Sequence, residues 1–520
     1  MKKILVSLIS LAMLGAFTGC KKDFLETAPS SSLSDATLKE SAKGVEGVMN
    51  GIHNMFYMYY FGQRFGDGSA SLNVQMDFLS NSSINSYSSL SMGIYRWIDH
   101  RNPNGVINLN VWDYYYTIIQ HVNTVLKMTE GGSTIAPEDL NRLRGQSHII
   151  RAFCYNNLVQ CFGKRFVKGG DNSSLGVILR LEPTTDPMPR STVAECFDQI
   201  NKDLEEGLNE MKNAKLSNAR NSISLGTAYG IAARIALTQQ DYAKAEEMAQ
   251  KAIEISTAAG LRLQVGEELV DGFNNYQAPE WMWGYHQAQD QKRGYAGFGC
   301  HFSYNFIGGW NDSFFFGINR SYYNKMGAKD VRRRWFVAED QGDEIPGDAD
   351  KGYFNPKKWD RAGQCIKFRV LDPQNSNLDQ VMMRLGEMYY IKAESQAQQG
   401  KIADAATTLE TVMKTRDPEY TVEKPLDKDA MIKEIMRNKR IDLYWEGGAF
   451  YDMKRLGEVP DRLASGNDKH MSSQRGDLLR TRNSGENAKA LPKTADAQEW
   501  EFVIPYDEIV GNNLCKQNPI

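Results

Sequence analysis

The sequence predicts an all-α, mostly helical protein in which a loop-rich, aromatic-rich lobe interrupts a tetratricopeptide-like repeat scaffold. Apolar residues recur at three- and four-residue spacing, small residues repeat at fixed intervals, and two aromatic-rich segments break the helical pattern. The apolar spacing is clearest in Trp112–Met128 and Leu140–Gly163. The second of these stretches ends at a glycine, which is a natural helix stop.

A repeat of small residues carries the scaffold prediction. In residues 229–255 a tyrosine and four alanines are spaced 4, 12, 4 and 3 residues apart, and the same spacing recurs in 389–412. The positions are Tyr229, Ala233, Ala245, Ala249 and Ala252, and then Tyr389, Ala393, Ala405, Leu409 and Val412. In tetratricopeptide repeats such residues let two antiparallel helices pack closely around a short turn. We expect such units near 112–163, 195–255 and 384–415. Two unrelated alanine-rich hairpins are the alternative.

The aromatic-rich segments are the candidate ligand-binding lobe. Residues 55–116 contain fourteen aromatic residues in 62 positions and 273–336 contain eighteen in 64, whereas 128–272 contains seven in 145. Much of this mass must form core, but loops on a rigid scaffold often carry binding residues. The candidate ligand-binding residues are Tyr95, Arg96, Trp97 and Asp99 in the first segment and Tyr304, Trp310 and Asn311 in the second. For each tryptophan the alternative is a loop anchored by a buried indole, because Trp is highly buried on average.

The N-terminus has the layout of a bacterial lipoprotein signal. Lys2 and Lys3 precede sixteen uncharged residues, and Phe17-Thr18-Gly19-Cys20 places small residues just before a cysteine. We therefore expect a signal peptide at 1–19, a lipid on Cys20, a flexible tether at 20–35 and a folded body at 36–520. An ordinary secretory signal with an incidental cysteine is the alternative. On the lipoprotein interpretation the protein acts outside the cytoplasm.

Composition excludes several classes of protein. A net charge of −3 provides no basic field for nucleic acid, and a mean hydropathy of −0.50 argues against a polytopic membrane protein.

The six cysteines after Cys20 have no metal-ligand spacing, and we interpret them as buried small apolar residues. The run Arg332-Arg333-Arg334 is expected to pack and pair at a helix start rather than bind anions.

The usual enzyme signatures are absent from the sequence. There is no HExxH, GxSxG or GxxxxGK[ST] motif, and the seven histidines are scattered. A glycosidase needs only two carboxylates facing a sugar, which 64 Asp and Glu residues cannot exclude. Asp343, Glu344, Asp348 and Asp350 could ligate calcium but lack the EF-hand spacing, so a solvated acidic loop is favoured. We predict a binding protein with no catalytic residues and no cofactor or metal.

Motifs along nearly the whole chain after residue 20 point to a known family. They are Lys21-Lys22-Asp23-Phe24-Leu25 with Pro29, Trp112-Asp113-Tyr114-Tyr115-Tyr116-Thr117-Ile118-Ile119 leading to Asn123, Arg151-Ala152-Phe153 with Gly163, Asp330-Val331-Arg332-Arg333, Arg384-Leu385-Gly386-Glu387 leading to Ala393-Glu394, Arg437-Asn438-Lys439-Arg440 followed by Glu446-Gly447 and Asp452-Met453-Lys454-Arg455, and Ile504-Pro505 with Glu508, Asn513 and Gln517-Asn518-Pro519. In order and spacing they resemble the SusD/RagB family of outer-membrane nutrient-binding lipoproteins. The similarity divides the body into an N-terminal region of about 36–235 and a C-terminal region of about 270–520. Gly386 and Gly448 depart from the expected pattern.

The resemblance implies a function that the residues alone do not. It implies a lipid-anchored protein on the outer-membrane surface of a Bacteroidetes-type bacterium, which captures a glycan and delivers it to a partner SusC-like TonB-dependent transporter. Alternatives are the same role for a peptide ligand, a glycan-degrading enzyme or a scaffold for other envelope proteins. Aromatic loops would hold the ligand, and the helical units would face the transporter.

Overall fold

The computed structural model describes residues 42–85, 91–131, 135–291, 293–307, 316–337, 363–423, 427–470 and 473–520. Its α-helices are α1 Ala42–Met58, α2 Gly68–Asp77, α3 Met92–Tyr95, α4 Val106–Met128, α5 Pro137–Phe162, α6 Val193–Lys212, α7 Leu225–Thr238, α8 Tyr242–Ala258, α9 Phe298–Phe302, α10 Arg320–Tyr323, α11 Leu385–Gln398, α12 Ile402–Met413, α13 Lys428–Asp442, α14 Ala449–Leu456, α15 Ser473–Arg482 and α16 Tyr506–Gly511. The strands are β1 Ser83–Asn85, β2 Trp281–Tyr285, β3 Phe316–Ile318 and β4 Gln380–Arg384. Among these residues, no helix is both long and apolar enough to cross a membrane.

Helical hairpins form the scaffold, as the small-residue spacing predicts. α7 packs on α8 across a turn at 239–241, and α11 packs on α12 across a turn at 399–401. Each turn contains one residue in the left-handed region, Gln240 at φ 57° in the first and Gly400 at φ 79° in the second. The repeated alanines have no exposed area: Ala233, Ala245, Ala249, Ala252, Ala393 and Ala405. α8 also packs on α11, so the two hairpins form one continuous stack. The predicted fold class is confirmed.

Local sequence sets where several of these helices begin. Thr192 forms a capping box with Glu195 at the start of α6, and the side chains of Ser224 and Asp427 accept backbone N–H bonds at the starts of α7 and α13. Such caps satisfy N–H groups that have no partner within the helix.

Two short antiparallel ladders lie within the lobe and at its junction with the scaffold. β1 pairs with β3, with Ser83 opposite Ile318, and β2 pairs with β4, with Trp281 opposite Arg384. β4 runs directly into α11, so the second ladder fixes the lobe to the C-terminal hairpin. One large apolar core extends through both parts of the molecule.

Buried ion pairs lie beneath the second ladder. Arg384, the last residue of β4, pairs with Glu280, Asp442 and Glu446 at 2.7–3.2 Å. A methyl group on Gly386 would lie 2.5 Å from an oxygen of Glu280, so an alanine at this position does not fit beside the network. A second network joins Glu394 and Arg455 at 2.5 Å. The charged motifs of the C-terminal half therefore belong to the interior.

One smaller prediction is confirmed here, and another is confirmed for Arg332 alone. The six cysteines after Cys20 are free and buried. Arg332 is fully buried and pairs with Asp330 at 2.7 Å at the start of the 3-10 helix Val331–Trp335. Cys20, the tether at 20–35 and the acidic loop from Asp343 to Asp350 lie outside the described residues.

Candidate ligand-binding site

Trp97 and Tyr95 are part of the core. Neither side chain has exposed area, and the indole N–H of Trp97 donates to the carbonyl oxygen of Leu79 at 3.1 Å. The Trp97 ring meets Trp500 edge-on at 4.9 Å, while the guanidinium of Arg462 lies 3.8 Å from the Tyr95 ring centre. A ring with no exposed face cannot stack on a ligand, so the predicted binding roles of Trp97 and Tyr95 are wrong. The alternative, a loop anchored by a buried indole, describes Trp97.

The other predicted site residues are half-buried, largely buried or outside the described residues. Arg96 and Asp99 are half-buried beside Trp97, and burial raises the pKa of the Asp99 carboxyl. Tyr304 is 8 % exposed and packs in a small cluster with Val337 and Ile366. Trp310 and Asn311 lie outside the described residues.

The first ladder connects the two aromatic-rich segments. Asn85 of β1 lies opposite Phe316 of β3, and the Phe316 ring stacks on Phe78 with ring centres 3.9 Å apart and planes within 4°. The chain passes from Asn85 into residues 86–90 and reaches Phe316 from residues 308–315. The pairing of β1 with β3 therefore brings together parts of the two aromatic-rich segments that are far apart in sequence.

A polar cleft of about 180 Å³ opens beside the second aromatic-rich segment. One wall consists of residues 371–379, which precede β4, and the other contains His286 and Gln287, which follow β2. Leu371 is 77 % exposed at the edge of the cleft. Most of the remaining lining side chains are amides or carboxylates, which pair well with hydroxyl groups.

Asp379 holds two aromatic rings at this cleft. One carboxylate oxygen lies 2.8 Å from Nδ1 of His286, and the other accepts the backbone N–H of Tyr276 at 2.8 Å. The two rings stack with centres 5.5 Å apart and planes 29° from parallel, and the His286 side chain is 58 % exposed. His286 therefore presents a flat ring to the solvent, and its contacts with Asp379 and Tyr276 fix the orientation of that ring.

The amide side chains of the cleft are also held in place. Nδ2 of Asn377 donates to the carbonyl oxygen of Gln287 at 3.1 Å, and Oδ1 of Asn274 accepts the N–H of Asp379 at 2.8 Å. Oδ1 of Asn377 is buried and has no hydrogen-bond partner among the described residues. A buried acceptor without a partner costs free energy, which a donor from a ligand or a water would recover.

Hydrogen bonds place the cleft next to residues 305–307 of the second aromatic-rich segment. The N–H of Ile307 donates to the carbonyl oxygen of Pro373 at 2.8 Å, and Nδ2 of Asn305 donates to the backbone carbonyl oxygen of Val370 at 3.0 Å. The chain therefore runs along the cleft wall just before Trp310. Sequence reasoning missed His286 and Asn377, although Asn375, Asn377 and Asp379 at alternate positions before a strand are a visible signal.

One cluster of described residues approaches metal-ligand geometry elsewhere. His148, Asp203 and Glu206 bring their ligand atoms within 4.8 Å of one another. Both oxygens of Asp203, however, accept hydrogen bonds from Arg151, at 2.6 and 2.9 Å. We assign this cluster to an ion-pair network between α5 and α6 and assign no cofactor.

The helical repeats and the cleft define a ligand-binding protein built on a repeat scaffold. Residues 23–237 match a family profile described as starch-binding, associating with the outer membrane, and residues 319–520 match the SusD family. The chain belongs to the SusD/RagB family. Members of this family are generally binding proteins rather than enzymes, and membership indicates carbohydrate binding and association with the outer-membrane surface.

Solved structures share this fold. A SusD-like carbohydrate binding protein from Bacteroides vulgatus is 22% identical, with 81% of this chain and 84% of that chain covered and a TM-score of 0.68. A putative sugar binding protein from the same species is 23% identical, with 92% and 98% covered and a TM-score of 0.72. A SusD superfamily protein from Bacteroides thetaiotaomicron is 19% identical, with 92% and 100% covered and a TM-score of 0.73. No curated protein sequence gives a significant match.

Proposed function

We propose that the protein captures an oligosaccharide or polysaccharide at the outer-membrane surface and delivers it to a partner SusC-like TonB-dependent transporter. The observation that carries the proposal is the exposed His286 ring, stacked on Tyr276 and held by Asp379 in a cleft of amide side chains. A flat ring offers an apolar face to the C–H groups of a pyranose, while fixed polar groups select its hydroxyls.

The second aromatic-rich segment extends this site in our proposal. Trp310 and Asn311 follow Ile307, whose backbone is bonded to the cleft wall at Pro373, by three and four residues. An indole and an amide at this border would lengthen the stacking surface. Trp97 and Tyr95 support the lobe from within and do not touch the ligand.

The cleft favours binding over hydrolysis. A retaining or inverting glycosidase needs one carboxyl that donates a proton and another that acts as nucleophile or base. The cleft is lined by two carboxyls, Asp372 and Asp379, and both oxygens of Asp379 already accept hydrogen bonds from His286 and Tyr276. Its arrangement suits a residue that positions other side chains.

The location is the remaining part of the proposal. Acylation of Cys20 would attach the protein to the outer membrane, because two or more acyl chains are enough for stable anchoring. Cys20→Ala should then move the protein from the outer-membrane fraction to the soluble fraction. An unchanged membrane fraction for the variant would refute the lipid anchor.

Calorimetric titration of the purified body with a panel of neutral and acidic oligosaccharides and unrelated peptides tests the ligand class. We expect at least one oligosaccharide to bind and the peptides not to bind. Peptide binding alone would replace the glycan with a peptide as the captured nutrient. Mild-detergent purification from native membranes should recover a TonB-dependent barrel, and repeated recovery of the lipoprotein alone would contradict delivery to a transporter.

A further inference from the structure

A second and larger recess, separate from the polar cleft, has a volume of about 680 Å³. Three elements form it: the 3-10 helix Gly266–Val270, the stretch from α10 to the 3-10 helix Val331–Trp335, and the residues after α12. Backbone hydrogen bonds join their walls, from the N–H of Gly266 to the oxygen of Thr415 at 3.0 Å and from the N–H of Val331 to that of Arg416 at 2.9 Å. These bonds hold the three elements together at the recess.

Positive charge is concentrated around this recess. Lys329, Arg333, Arg334 and Lys414 line it, and we call the recess bounded by these four side chains the cationic groove. Residues 319–337 contain six basic residues and one acidic residue, in a chain whose net charge is −3. Among the described residues, the only acidic side chains in the lining are Asp330, which pairs with buried Arg332, and Glu267. The fold thus brings basic side chains together in a chain that is slightly acidic overall.

Arg333 is the central cation of the groove. Its guanidinium lies 4.5 Å from the centre of the Tyr323 ring and donates to the carbonyl oxygen of Met326 at 3.1 Å. Among the described residues, no carboxylate lies within ion-pair distance of Arg333, although the other three groove cations each have one. Its remaining N–H groups can bind an incoming anion.

The carboxylates beside the other cations are easily displaced. Arg334 pairs with Glu267, Lys329 with Glu419 and Lys414 with Glu410 at 2.5–3.1 Å. Both partners in the first two pairs are at least 40 % exposed, and Lys414 is 52 % exposed. Exposed pairs of this kind contribute little to stability, so a ligand anion can exchange with them at small cost.

We propose that the cationic groove binds anionic groups of the captured glycan, either the carboxylates of uronic acids or sulfate esters. This inference rests on the proposed function and narrows the ligand class to acidic saccharides. Glu267 of the groove and Asn274 of the polar cleft are separated by seven residues, so their Cα atoms are at most about 25 Å apart. One polymer can therefore occupy both sites, with its hydroxyl-bearing units in the cleft and its anions in the groove.

Matched ligand pairs test the groove directly. We would titrate the intact body with oligogalacturonate and its methyl ester, and with dextran sulfate and dextran, because the members of each pair share a sugar backbone and only one of them is charged. At least one anionic member should bind more tightly than its neutral counterpart, and added salt should reduce the difference. Arg333→Gln and Lys414→Gln should each weaken that binding roughly tenfold. Lys251→Gln, which removes an exposed lysine paired with Glu247 on α8, should leave it unchanged.

The outcomes separate the groove from the capture function. Equal affinity for charged and neutral members, or full affinity in both groove variants, would overturn the groove assignment while leaving glycan capture intact. Binding of polyglutamate in place of the anionic saccharides would overturn the saccharide assignment. Failure of every saccharide, charged and neutral, would refute the proposed function itself. Thermal melts of the two variants that match the parent would confirm that affinity rather than folding has changed.

Discussion

Arg416 donates through Nη2 to Glu280 at 2.6 Å, and neither side chain has exposed area. Arg416 follows α12 and Glu280 precedes β2, so this contact joins the C-terminal hairpin to the strand that leads into the polar cleft. Arg416 also pairs with Asp442 at 3.0 Å. The buried charges thus hold the base of the lobe against the scaffold.

Arg416→Met should lower the free energy of unfolding by about 3–5 kcal/mol, because it leaves buried carboxylates without a partner. Urea denaturation measures the change. Arg334→Met removes an exposed pair and should cost no more than about 1 kcal/mol. Equal, small losses in both variants would show that the buried network does not stabilise the junction.

Trp97→Ala should destabilise the protein by about 3–5 kcal/mol, since it removes a large fully buried ring. Thermal and urea unfolding measure this loss, and glycan affinity measured well below the melting temperature should stay near that of the parent. Lost affinity with unchanged stability would restore Trp97 as a ligand platform.

The repeat hairpins should not tolerate larger side chains at the small positions. Ala233→Leu and Ala393→Leu should each cost about 1–3 kcal/mol through overpacking. Ala243→Leu and Ala403→Leu, at exposed positions on α8 and α12, provide the controls and should have little effect. If the buried and exposed substitutions give the same melting temperature, the helices do not pack closely at these alanines.

Asp77 makes the stability depend on pH. Its carboxylate accepts N–H bonds from Gly447 and Ala449 at the start of α14, yet burial raises the pKa of Asp77 from 3.8 to about 7. A raised folded-state pKa means that the native protein holds this proton more tightly than the unfolded chain. The contribution of Asp77 is therefore full below about pH 4 and is lost as pH rises towards 7.

The difference in unfolding free energy between the parent and Asp77→Asn should change between these two pH values and level off above 7. Chemical denaturation across the range measures this difference. Asp496→Asn, at an exposed ion pair with Arg165, serves as the control and should follow the parent. A constant difference for Asp77→Asn across the whole range would show that its folded and unfolded pKa values are alike.

The scaffold could be predicted because its signal is local. Ala233 and Ala245 lie twelve residues apart in a pattern that repeats, and their burial follows from helix geometry alone. The burial of Trp97 could not be predicted in this way, since it depends on Trp500, some four hundred residues later in the chain. Local composition alone suggested an exposed ring.

The buried positions of charged residues and the residues of the two sites could not be predicted for the same reason. Arg384 and Glu446 would ordinarily be expected at the surface, because arginine and glutamate are almost never fully buried without a partner. Their pairing spans 62 residues of sequence. The polar cleft similarly brings His286 to Asp379, 93 residues away, and the cationic groove brings Lys414 to Arg333. Only the tertiary fold reveals these sites.

The most direct test of glycan capture is the affinity of His286→Ala and Asn377→Ala for the oligosaccharide that binds the parent. His286 is largely exposed, and the loss of the bond from Asn377 to Gln287 is offset by removal of the unpaired Oδ1 of Asn377. We therefore expect melting temperatures near that of the parent and a loss of about 1–3 kcal/mol in binding, typical of important contact residues. Tyr506→Ala, which removes an exposed ring on α16, should bind like the parent. Parental affinity in both cleft variants would contradict the assignment of the ligand to this cleft.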